Sequence, residues 1–336
     1  MILTGPEITA AAHDGRLRIT PFAADQVNPN SYNVRLGPTL IKYTSPVLDA
    51  HRPNPTRETT IGPDGHVLQP GELYLGHTLE EVGSNTFVPL LFGRSSVGRL
   101  GLFVEITAPI GDIGFHGQWT LMLTPIRPLR VYAGMKIGQI MFFVSTGAVD
   151  LYGGKYQAAT GPQPSTYWRD LARLHVVESY EPSRVSPNAY DWRLGDTIRV
   201  CDGDLDAATP TPFTEQPIPD TGLVLRPGLL YLGITLEQTG SETYAQLLNG
   251  DRTTGSLGIW VHVSAPLGHQ GHAIRWTLEI RAARPVRVYP GMTFGKLVFL
   301  TTCGAPASYQ QQHAKYASTE GIDISRLYEE IDGGVR

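Results

Sequence analysis

The chain is poor in cysteine and has no long apolar run. Its 336 residues include only two cysteines, Cys201 and Cys303, and their positions match neither a disulfide framework nor a zinc-binding spacing, so we interpret both as buried, reduced thiols. No apolar stretch approaches the roughly 20 residues of a membrane-spanning helix. The first residues lack the basic segment and the apolar core of a signal peptide. We therefore expect a soluble, cytoplasmic protein without a membrane partner.

Charged residues are also scarce, at 17% of the chain, and the formal net charge is −4. A protein that binds a nucleic-acid polymer needs a basic excess to neutralise phosphates, so no such partner is expected. A single nucleotide is a different case, because a few well-placed Arg and Lys residues suffice to bind it. Glycine and proline are plentiful, with 37 and 26 residues, which is typical of short strands joined by tight turns.

The sequence contains a long internal repeat. PGELYLGHTLEEVGS at 70–84 returns as PGLLYLGITLEQTGS at 227–241, and RPLRVYAGMKIGQIMFF at 127–143 returns as RPVRVYPGMTFGKLVFL at 284–300. Both pairs are offset by 157 residues, so the chain between them aligns without a net gap. A repeat of this length indicates that a whole domain has been duplicated.

The duplication predicts two domains, residues 1–170 and residues 171–336. Within each, β-branched and aromatic runs are interrupted by Gly-rich turns, and the segment at 102–124 alternates in polarity on both sides of such a turn. We therefore expect a mainly β fold, with one barrel or jelly roll of short strands in each half and only short helices. Trp119 and Trp276 occupy equivalent positions, and we expect both in the core.

The segment GRSSVGRLGL at 93–102 resembles the Gly-Arg-Ser-Ser-x-x-Arg motif of the dCTP deaminases, which belong to the trimeric dUTPase-like superfamily. The segments at 26–37, 67–82 and 154–165 resemble further motifs of that family in the same order. The resemblance covers nearly all of the first half and, more loosely, the second. It implies two tandem dUTPase-like β-barrel or jelly-roll domains, a homo-oligomer with active sites between subunits, and a C-terminal segment that closes over the nucleotide.

The resemblance also implies hydrolytic deamination of dCTP to dUTP and ammonia without zinc. Zinc deaminases carry an H-x-E…P-C-x-x-C signature, which this sequence lacks, and the nearest pair, His269 and His272, has no cysteine beside it. A zinc-free reaction needs a carboxylate as general base. We expect Mg²⁺ to bind through the triphosphate, with no metal ligand from the protein.

In the family, the general base is a Glu at a fixed distance from the Ala of a V-x-V-[ST]-A strand. Counting 14 residues from Ala265 reaches Glu279, and the same count from Ala108 reaches Met122. By this resemblance Glu279 is the catalytic base, and only the second half retains one. We expect burial to raise the pKa of Glu279, and a nearby Arg99 to lower it.

The Arg-Ser-Ser motif shows the opposite distribution. The first half keeps all of its polar residues: Arg94, Ser95, Ser96 and Arg99. The second half has different residues at the equivalent positions: Asp251, Arg252, Thr253 and Ser256. A shift of one residue would improve this match only in part. We infer a composite site that joins the first-half motif to the second-half Glu. The alternative is that both copies have decayed and nothing is catalysed.

The resemblance and the residue types assign the remaining roles. Ser95 would hold the attacking water, because a hydroxyl both donates and accepts hydrogen bonds. Arg99 would stabilise charge in the transition state, and Arg94 and Ser96 would bind the triphosphate. Backbone groups of one strand would read the base edge, those of Val263, Ser264 and Ala265.

Two Lys-Tyr pairs resemble the segment that closes over the nucleotide. Lys155 and Tyr156 match the family's sequence better, whereas Lys315 and Tyr316 belong to the half that carries the Glu, so the assignment stays open. Asp112 aligns with an acidic residue of the family's Gly-rich turn. A contact that stabilises the turn and a catalytic role are both open for it.

The predicted activity is that of a dCTP deaminase, with dCTP and dUTP as its nucleotide partners. The alternatives are a dUTP diphosphatase, a bifunctional deaminase and diphosphatase, and a nucleotide-binding regulator that has lost turnover. Glu279 argues against the regulator, because binding alone needs no carboxylate at that position. The final product, dUTP or dUMP, and feedback inhibition by dTTP are left open.

Overall fold

The computed structural model describes residues 1–50, 52–166, 181–201, 203–241, 244–302 and 321–327. The first half contains two short α-helices and twelve strands, in the order α1 Gly5–His13, β1 Arg18–Thr20, β2 Tyr32–Arg35, β3 Thr39–Tyr43, β4 Leu48–Asp49, β5 Thr56–Thr60, β6 His66–Leu68, β7 Tyr74–Gly83, β8 Phe87–Gly93, α2 Ser95–Gly98, β9 Leu102–Phe103, β10 His116–Pro125, β11 Leu129–Val131 and β12 Lys136–Val144.

The described part of the second half follows the same order, with β13 Val185–Ser186, β14 Ala189–Arg193, β15 Thr197–Cys201, β16 Thr214–Pro217, β17 Leu223–Leu225, β18 Leu230–Ser241, β19 Tyr244–Gly250, α3 Arg252–Ser256, β20 Ile259–Trp260, β21 Leu267–Gly268, β22 Gly271–Ala282, β23 Val286–Val288 and β24 Thr293–Thr301. The mainly β fold with short helices is confirmed. None of the described helices is long and apolar enough to cross a membrane.

Each half is built on two main sheets in which the equivalent strands keep the same order; they have six and three strands in the first half and five each in the second. In the first half the large sheet runs β5-β3-β7-β10-β9, with β1 added to β7, and the smaller one runs β2-β12-β8. In the second half the corresponding sheets run β16-β15-β18-β22-β20 and β13-β14-β24-β19-β21. Repeated strands therefore keep their neighbours, as expected of a duplicated domain.

The register of the central strands repeats as well. Met122 on β10 lies opposite Leu75 on β7, and Glu279 on β22 lies opposite Leu232 on β18. Glu279 is 157 positions after Met122, and Leu232 is 157 positions after Leu75. Met122 and Glu279 therefore occupy the same place in their barrels. Counting 14 residues along the sequence reached Glu279 in the second half and Met122 in the first. The pairing of the strands shows that these two positions are structurally equivalent.

A buried Arg–Glu pair fastens the two sheets of each half together. Arg35 Nε donates to Glu80 Oε1 at 2.6 Å, and Arg193 Nε donates to Glu237 Oε1 at 2.6 Å. Glu80 and Glu237 are almost completely buried, so each carboxylate depends on its guanidinium partner for the charge to be tolerated. The backbone N–H groups of the two arginines donate to the same carboxylates.

The two halves share part of their hydrophobic core. One cluster of buried side chains belongs to the first barrel alone, whereas a second cluster joins first-half residues such as Leu73 and Met122 to second-half residues such as Leu257 and Leu278. Strand β4 of the first half also pairs in parallel with β23 of the second. The halves are thus packed against each other over an apolar surface.

Removing the carboxylate of the second buried pair should destabilise the protein strongly. We expect Glu237→Ala to lower the free energy of unfolding by about 3 kcal/mol, because Arg193 stays charged and buried and keeps its ion pair with Glu181 but loses the carboxylate that accepts from its Nε and its backbone N–H. Glu215→Ala is the matched control: Glu215 pairs with Arg199 at 2.7 Å but is more than half exposed, so a loss of about 0–1 kcal/mol is expected. Urea unfolding measures both, and equal losses would contradict this account.

Candidate active site

The Arg-Ser-Ser motif lies where β8 ends and the short helix α2 begins. Arg94 precedes the helix and is half-buried, while Ser95, Ser96 and Arg99 are exposed. In the described part of the chain, none of these four side chains has a hydrogen bond or an ion pair within the protein. Two guanidinium groups and two hydroxyl groups therefore face solvent without a protein partner. This arrangement suits the recognition of an anionic ligand.

A cavity of about 490 Å³ joins this motif to the second half. Its lining includes Arg94 and Ser95 from the first half and His262, Val263 and Ser264 from the second. The structure thus brings Arg94 and Ser95, predicted to bind the triphosphate and the water, into one cavity with Val263 and Ser264, predicted to read the base. Ser96 and Arg99 do not line this cavity.

Glu279 is held by the irregular segment between β20 and β21, and Val263, Ser264 and Ala265, which were expected in a strand, lie in this segment. The backbone N–H of Val263 donates to Glu279 Oε2 at 3.0 Å, and His262 Nδ1 lies 3.8 Å from the same oxygen. Burial alone raises the pKa of Glu279, but the neighbouring His262 and the backbone N–H groups of Val263 and Ser264 outweigh it, and the pKa lies below its ordinary value. Burial raises the pKa as expected, but the opposing effect comes from His262 and the two backbone N–H groups instead of the expected Arg99, and the carboxylate is ionised at neutral pH.

Glu279 opens into a second, larger cavity of about 810 Å³. Ala265, Trp276 and Asp323 also line it, and every described residue that lines it belongs to the second half. Trp276 was expected in the core. It is only half-buried, because the cavity lies beside it, whereas Trp119 is buried as expected. The structure of one chain therefore does not place Glu279 in a common cavity with the Arg-Ser-Ser motif.

The first Lys-Tyr pair packs on its own barrel. Tyr156 is buried, its hydroxyl accepts a hydrogen bond from the backbone N–H of Thr166 at 3.3 Å, and Lys155 Nζ lies 5.5 Å from the centre of the Tyr156 ring. Gly161, a few residues further on, donates its N–H to Gln118 on β10. The second pair, Lys315 and Tyr316, lies outside the described residues, as does Cys303.

The helix of the second half is buried against the first barrel. Arg252 projects into three aromatic rings, with its guanidinium carbon 5.0 Å from the ring centre of Phe115, 5.2 Å from that of Trp119 and 5.8 Å from that of Tyr156. Cation–π attraction of this kind is strongest where water is excluded. Sequence comparison treated Arg252 only as a degenerate motif residue, because its aromatic partners come from the other half.

The same contact covers Met122, the first-half position equivalent to Glu279. Met122 is buried, and a Cβ atom on Gly255 of α3 would lie only 2.7 Å from Met122 Sδ. The backbone N–H of Gly250 donates to Thr107 Oγ1 at 3.0 Å beside it. The degenerate motif of the second half therefore meets the degenerate base position of the first.

The carboxylate of Asp112 forms an ion pair between the two halves. Its carboxylate accepts two hydrogen bonds from Lys296 Nζ of the second half, at 2.9 and 3.0 Å, and Asp191 lies 3.6 Å from the same nitrogen. Burial lowers the pKa of Lys296, but the carboxylates of Asp191 and Asp112 outweigh it, so the pKa is raised. Asp112 thus fastens the two halves together, a role hidden from the sequence because Lys296 is 184 residues away.

A family model described as dCTP deaminase-like matches residues 2–145 and again residues 165–302. The chain belongs to the dCTP deaminase-like family. This confirms the family that the motifs indicated, and the two matches agree with the two repeats of the fold.

Individual members of the family are similar to half of the chain. The protein of Leptospira biflexa named dCTP deaminase, dUMP-forming, is 47% identical over 174 residues, which are 52% of this chain and 99% of that protein. A protein of the same name from Hathewaya histolytica is 47% identical over 172 residues, 51% of this chain and 99% of its own length. The solved structure of 2'-deoxycytidine 5'-triphosphate deaminase from Agrobacterium tumefaciens covers 89% of this chain and 98% of its own, with 18% identity and a TM-score of 0.37.

The two short helices should respond differently to the same substitution. We expect Gly255→Val to lower the free energy of unfolding by about 1–3 kcal/mol, because the new side chain would collide with Met122 in a packed interface. Gly98→Val is the matched control: Gly98 is the equivalent residue of α2, and a Cβ atom there meets no atom within 4 Å. Thermal and urea unfolding of the two variants would show this, and a destabilised Gly98→Val protein would contradict it.

Proposed function

We propose that this protein catalyses the zinc-independent hydrolytic deamination of dCTP, at a composite site made of the first-half Arg-Ser-Ser motif and the second-half Glu279. One observation carries the proposal: the parts that each half has kept are exposed, and the parts that each half has lost are buried against each other. The polar residues of the motif (Arg94, Ser95, Ser96 and Arg99) and Glu279 remain at least partly accessible, whereas Met122 and most of α3 are covered. Decay without selection gives no reason for the losses to fall on the buried pair alone.

In the proposed reaction, Glu279 accepts a proton from the attacking water. The water oxygen then bonds to C4 of the cytosine, and the proton passes to the ring nitrogen or to the departing amine, so that ammonia leaves as the C4–N bond breaks. An ionised carboxylate is needed at the start. The lowered pKa of Glu279 supplies one at neutral pH.

The first-half side chains supply positioning and positive charge. Ser95 holds the water, Arg99 stabilises the charge that develops at the ring, and Arg94 and Ser96 bind the triphosphate. Mg²⁺ would be held by the triphosphate oxygens, which it prefers as ligands.

The irregular segment Val263–Ala265 is exposed beside the carboxylate, as base recognition requires. The N–H groups of Val263 and Ser264 already stabilise Glu279, so the carbonyl groups of these two residues and the backbone of Ala265 are the better candidates for reading the base edge.

The remaining expectations also stand as proposals. They are the domain division at residues 1–170 and 171–336, a soluble cytoplasmic homo-oligomer, and dTTP as a feedback ligand. We propose dUTP as the first product. Release of dUMP by further cleavage is a second candidate, which the names of the relatives from Leptospira biflexa and Hathewaya histolytica favour.

Incubation of the protein with dCTP and Mg²⁺ tests the activity and its product. We expect ammonia release with formation of dUTP, or of dUMP and pyrophosphate if the chain resembles those relatives in its second step. Chromatography of the nucleotides separates the two. Tight binding of dCTP without ammonia would support the regulator and end the proposal of catalysis.

Replacing the proposed base should abolish turnover and spare binding. We expect Glu279→Gln to reduce kcat by about 10²–10⁴, the usual contribution of a general base, with dCTP affinity changed little because the amide keeps the shape of the side chain. Glu215→Gln, an exposed carboxylate of the same half, is the control and should keep wild-type kcat. Ammonia release and equilibrium dialysis give the two readouts. A fully active Glu279→Gln would show that another group is the base.

A further inference from the structure

The imidazole of His262 lies between Glu279 and the cavity of the Arg-Ser-Ser motif. His262 lines the cavity of about 490 Å³ together with Arg94 and Ser95, and its Nδ1 atom lies 3.8 Å from Glu279 Oε2. Glu279 itself lines the neighbouring cavity of about 810 Å³. Within one chain, the carboxylate proposed as the base and the residues proposed to hold the water are thus connected through this imidazole.

Both ring nitrogens of His262 are buried without a hydrogen-bond partner in the described part of the chain. The side chain is only 8% exposed, and 3.8 Å is too long for a hydrogen bond to Glu279. A buried polar group without a partner costs about 1–3 kcal/mol, so a histidine kept for packing would have its nitrogens paired. The unpaired nitrogens instead indicate a group that meets a ligand or exchanges a proton.

The equivalent residue of the first half is Glu105, which lies 157 positions before His262. Glu105 lines the same cavity, but its Oε1 atom accepts hydrogen bonds from the backbone N–H groups of Thr107 and Ala108 at 3.1 and 2.8 Å. The carboxylate of Glu105 is therefore satisfied within its own segment. The unpaired imidazole is thus a property of the second half and is not imposed by this position of the fold.

The imidazole and the proposed base occur together in the same half. The second half carries His262 and Glu279, whereas the first half carries Glu105 and Met122 at the equivalent positions. A methionine cannot take up a proton, so an imidazole beside Met122 would have no group with which to exchange one. The half without the carboxylate also lacks the imidazole, as expected if the two side chains act as a unit.

The imidazole and the carboxylate are also electrostatically coupled. Burial raises the pKa of Glu279, but His262, together with the N–H groups of Val263 and Ser264, lowers it below its ordinary value. An imidazole that is oriented by a carboxylate is the usual arrangement by which enzymes move a proton to and from a reacting group.

We propose that His262 is the proton relay between the cavity of Arg94 and Ser95 and the carboxylate of Glu279. The inference rests on the proposed function and adds a catalytic residue to it. Glu279 then takes part in the reaction without entering the cavity where Ser95 holds the water, because the imidazole carries the proton across.

The relay moves two protons of the water in turn. His262 Nε2 accepts the first proton while its Nδ1 proton moves to Glu279 Oε2, and the water oxygen bonds to C4 of the cytosine. The reverse transfer delivers this proton to the ring nitrogen N3. The proton of the hydroxyl group on C4 then follows the same route to the amine, so that the C4–N bond breaks, a C4–O double bond forms and ammonia leaves. The Nδ1–Oε2 distance of 3.8 Å must shorten by about 1 Å in the substrate complex, as catalytic hydrogen bonds commonly do.

Removing the imidazole and supplying it again from solution tests the relay. We expect His262→Ala to lower kcat by about 10²–10⁴ with little change in KM, and added imidazole to raise its kcat about tenfold, because the free ring can occupy the space of the missing one. His13→Gln, at an exposed histidine outside both cavities, is the control and should keep wild-type kcat. If Glu279 took the proton directly, His262→Ala would stay within a few-fold of wild type. That result, or a loss that imidazole leaves unchanged, would overturn the relay.

Contact between His262 and the substrate can be measured without turnover. In Glu279→Gln labelled with nitrogen-15 histidine, addition of dCTP and Mg²⁺ should shift the ring-nitrogen signals of His262 in NMR spectra and leave those of His13 in place. Unshifted His262 signals at saturating dCTP would overturn the relay, even if His262→Ala fails to fold. Either failure, with ammonia still released by the wild type, refutes the relay alone. A wild type that releases no ammonia refutes the proposed function and the relay with it.

Discussion

The packing of α3 against the first barrel is the contact on which the rest of the structure depends. It places the Arg252 guanidinium among the rings of Phe115, Trp119 and Tyr156 and sets Gly255 directly on Met122. A carboxylate in place of Met122 would lose its hydration when α3 covers it, at a cost of several kcal/mol unless it found a partner. A thioether has no such requirement and fills an irregular gap well. The loss of the base from the first half is thus what a permanently covered position favours.

Glu279 and the Arg-Ser-Ser motif are in the opposite situation, because they are accessible to solvent. Glu279 keeps its charge because the N–H of Val263 and the nearby His262 stabilise it and because water reaches it through the adjoining cavity. Arg94 and Arg99 need no protein partner, since solvent hydrates them until a ligand arrives. The difference in burial therefore explains why one half carries Met122 where the other carries Glu279, and why the Arg-Ser-Ser motif is intact only where it is exposed. No separate explanation is needed for each residue.

The spacing of the repeat predicted the place of Met122 and Glu279 because the register of paired strands admits no intermediate value: a slip of one residue would turn each side chain to the other face of the sheet. The local motif predicted the exposed loop for a similar reason, since a tight strand-to-helix connection depends on adjacent residues. The partners of Arg252 and Asp112 could not be predicted in this way. Those contacts join residues from different halves, and they depend on how two barrels are oriented. The direction in which the pKa of Glu279 shifts likewise could not be predicted, because it depends on the neighbouring segment at His262–Ser264 and on how much of the carboxylate is buried.

If both halves had kept the same residues, each barrel would carry both the Arg-Ser-Ser motif and the Glu. Each contact between barrels could then hold a site of the proposed kind. In this chain one of the two kinds of contact is closed by aromatic rings, a thioether and the Lys296–Asp112 pair, and no nucleotide could enter it without separating the halves. Under the proposed function, each chain therefore supplies parts for one site instead of two. In return, the covered contact no longer has to accommodate a ligand, so its side chains are constrained only by packing and charge pairing. The stability of the two-barrel unit and the chemistry of the open surfaces can then change largely independently, with Thr107 as a link, because it accepts the hydrogen bond of Gly250 in the covered contact and also lines the cavity of Arg94 and Ser95.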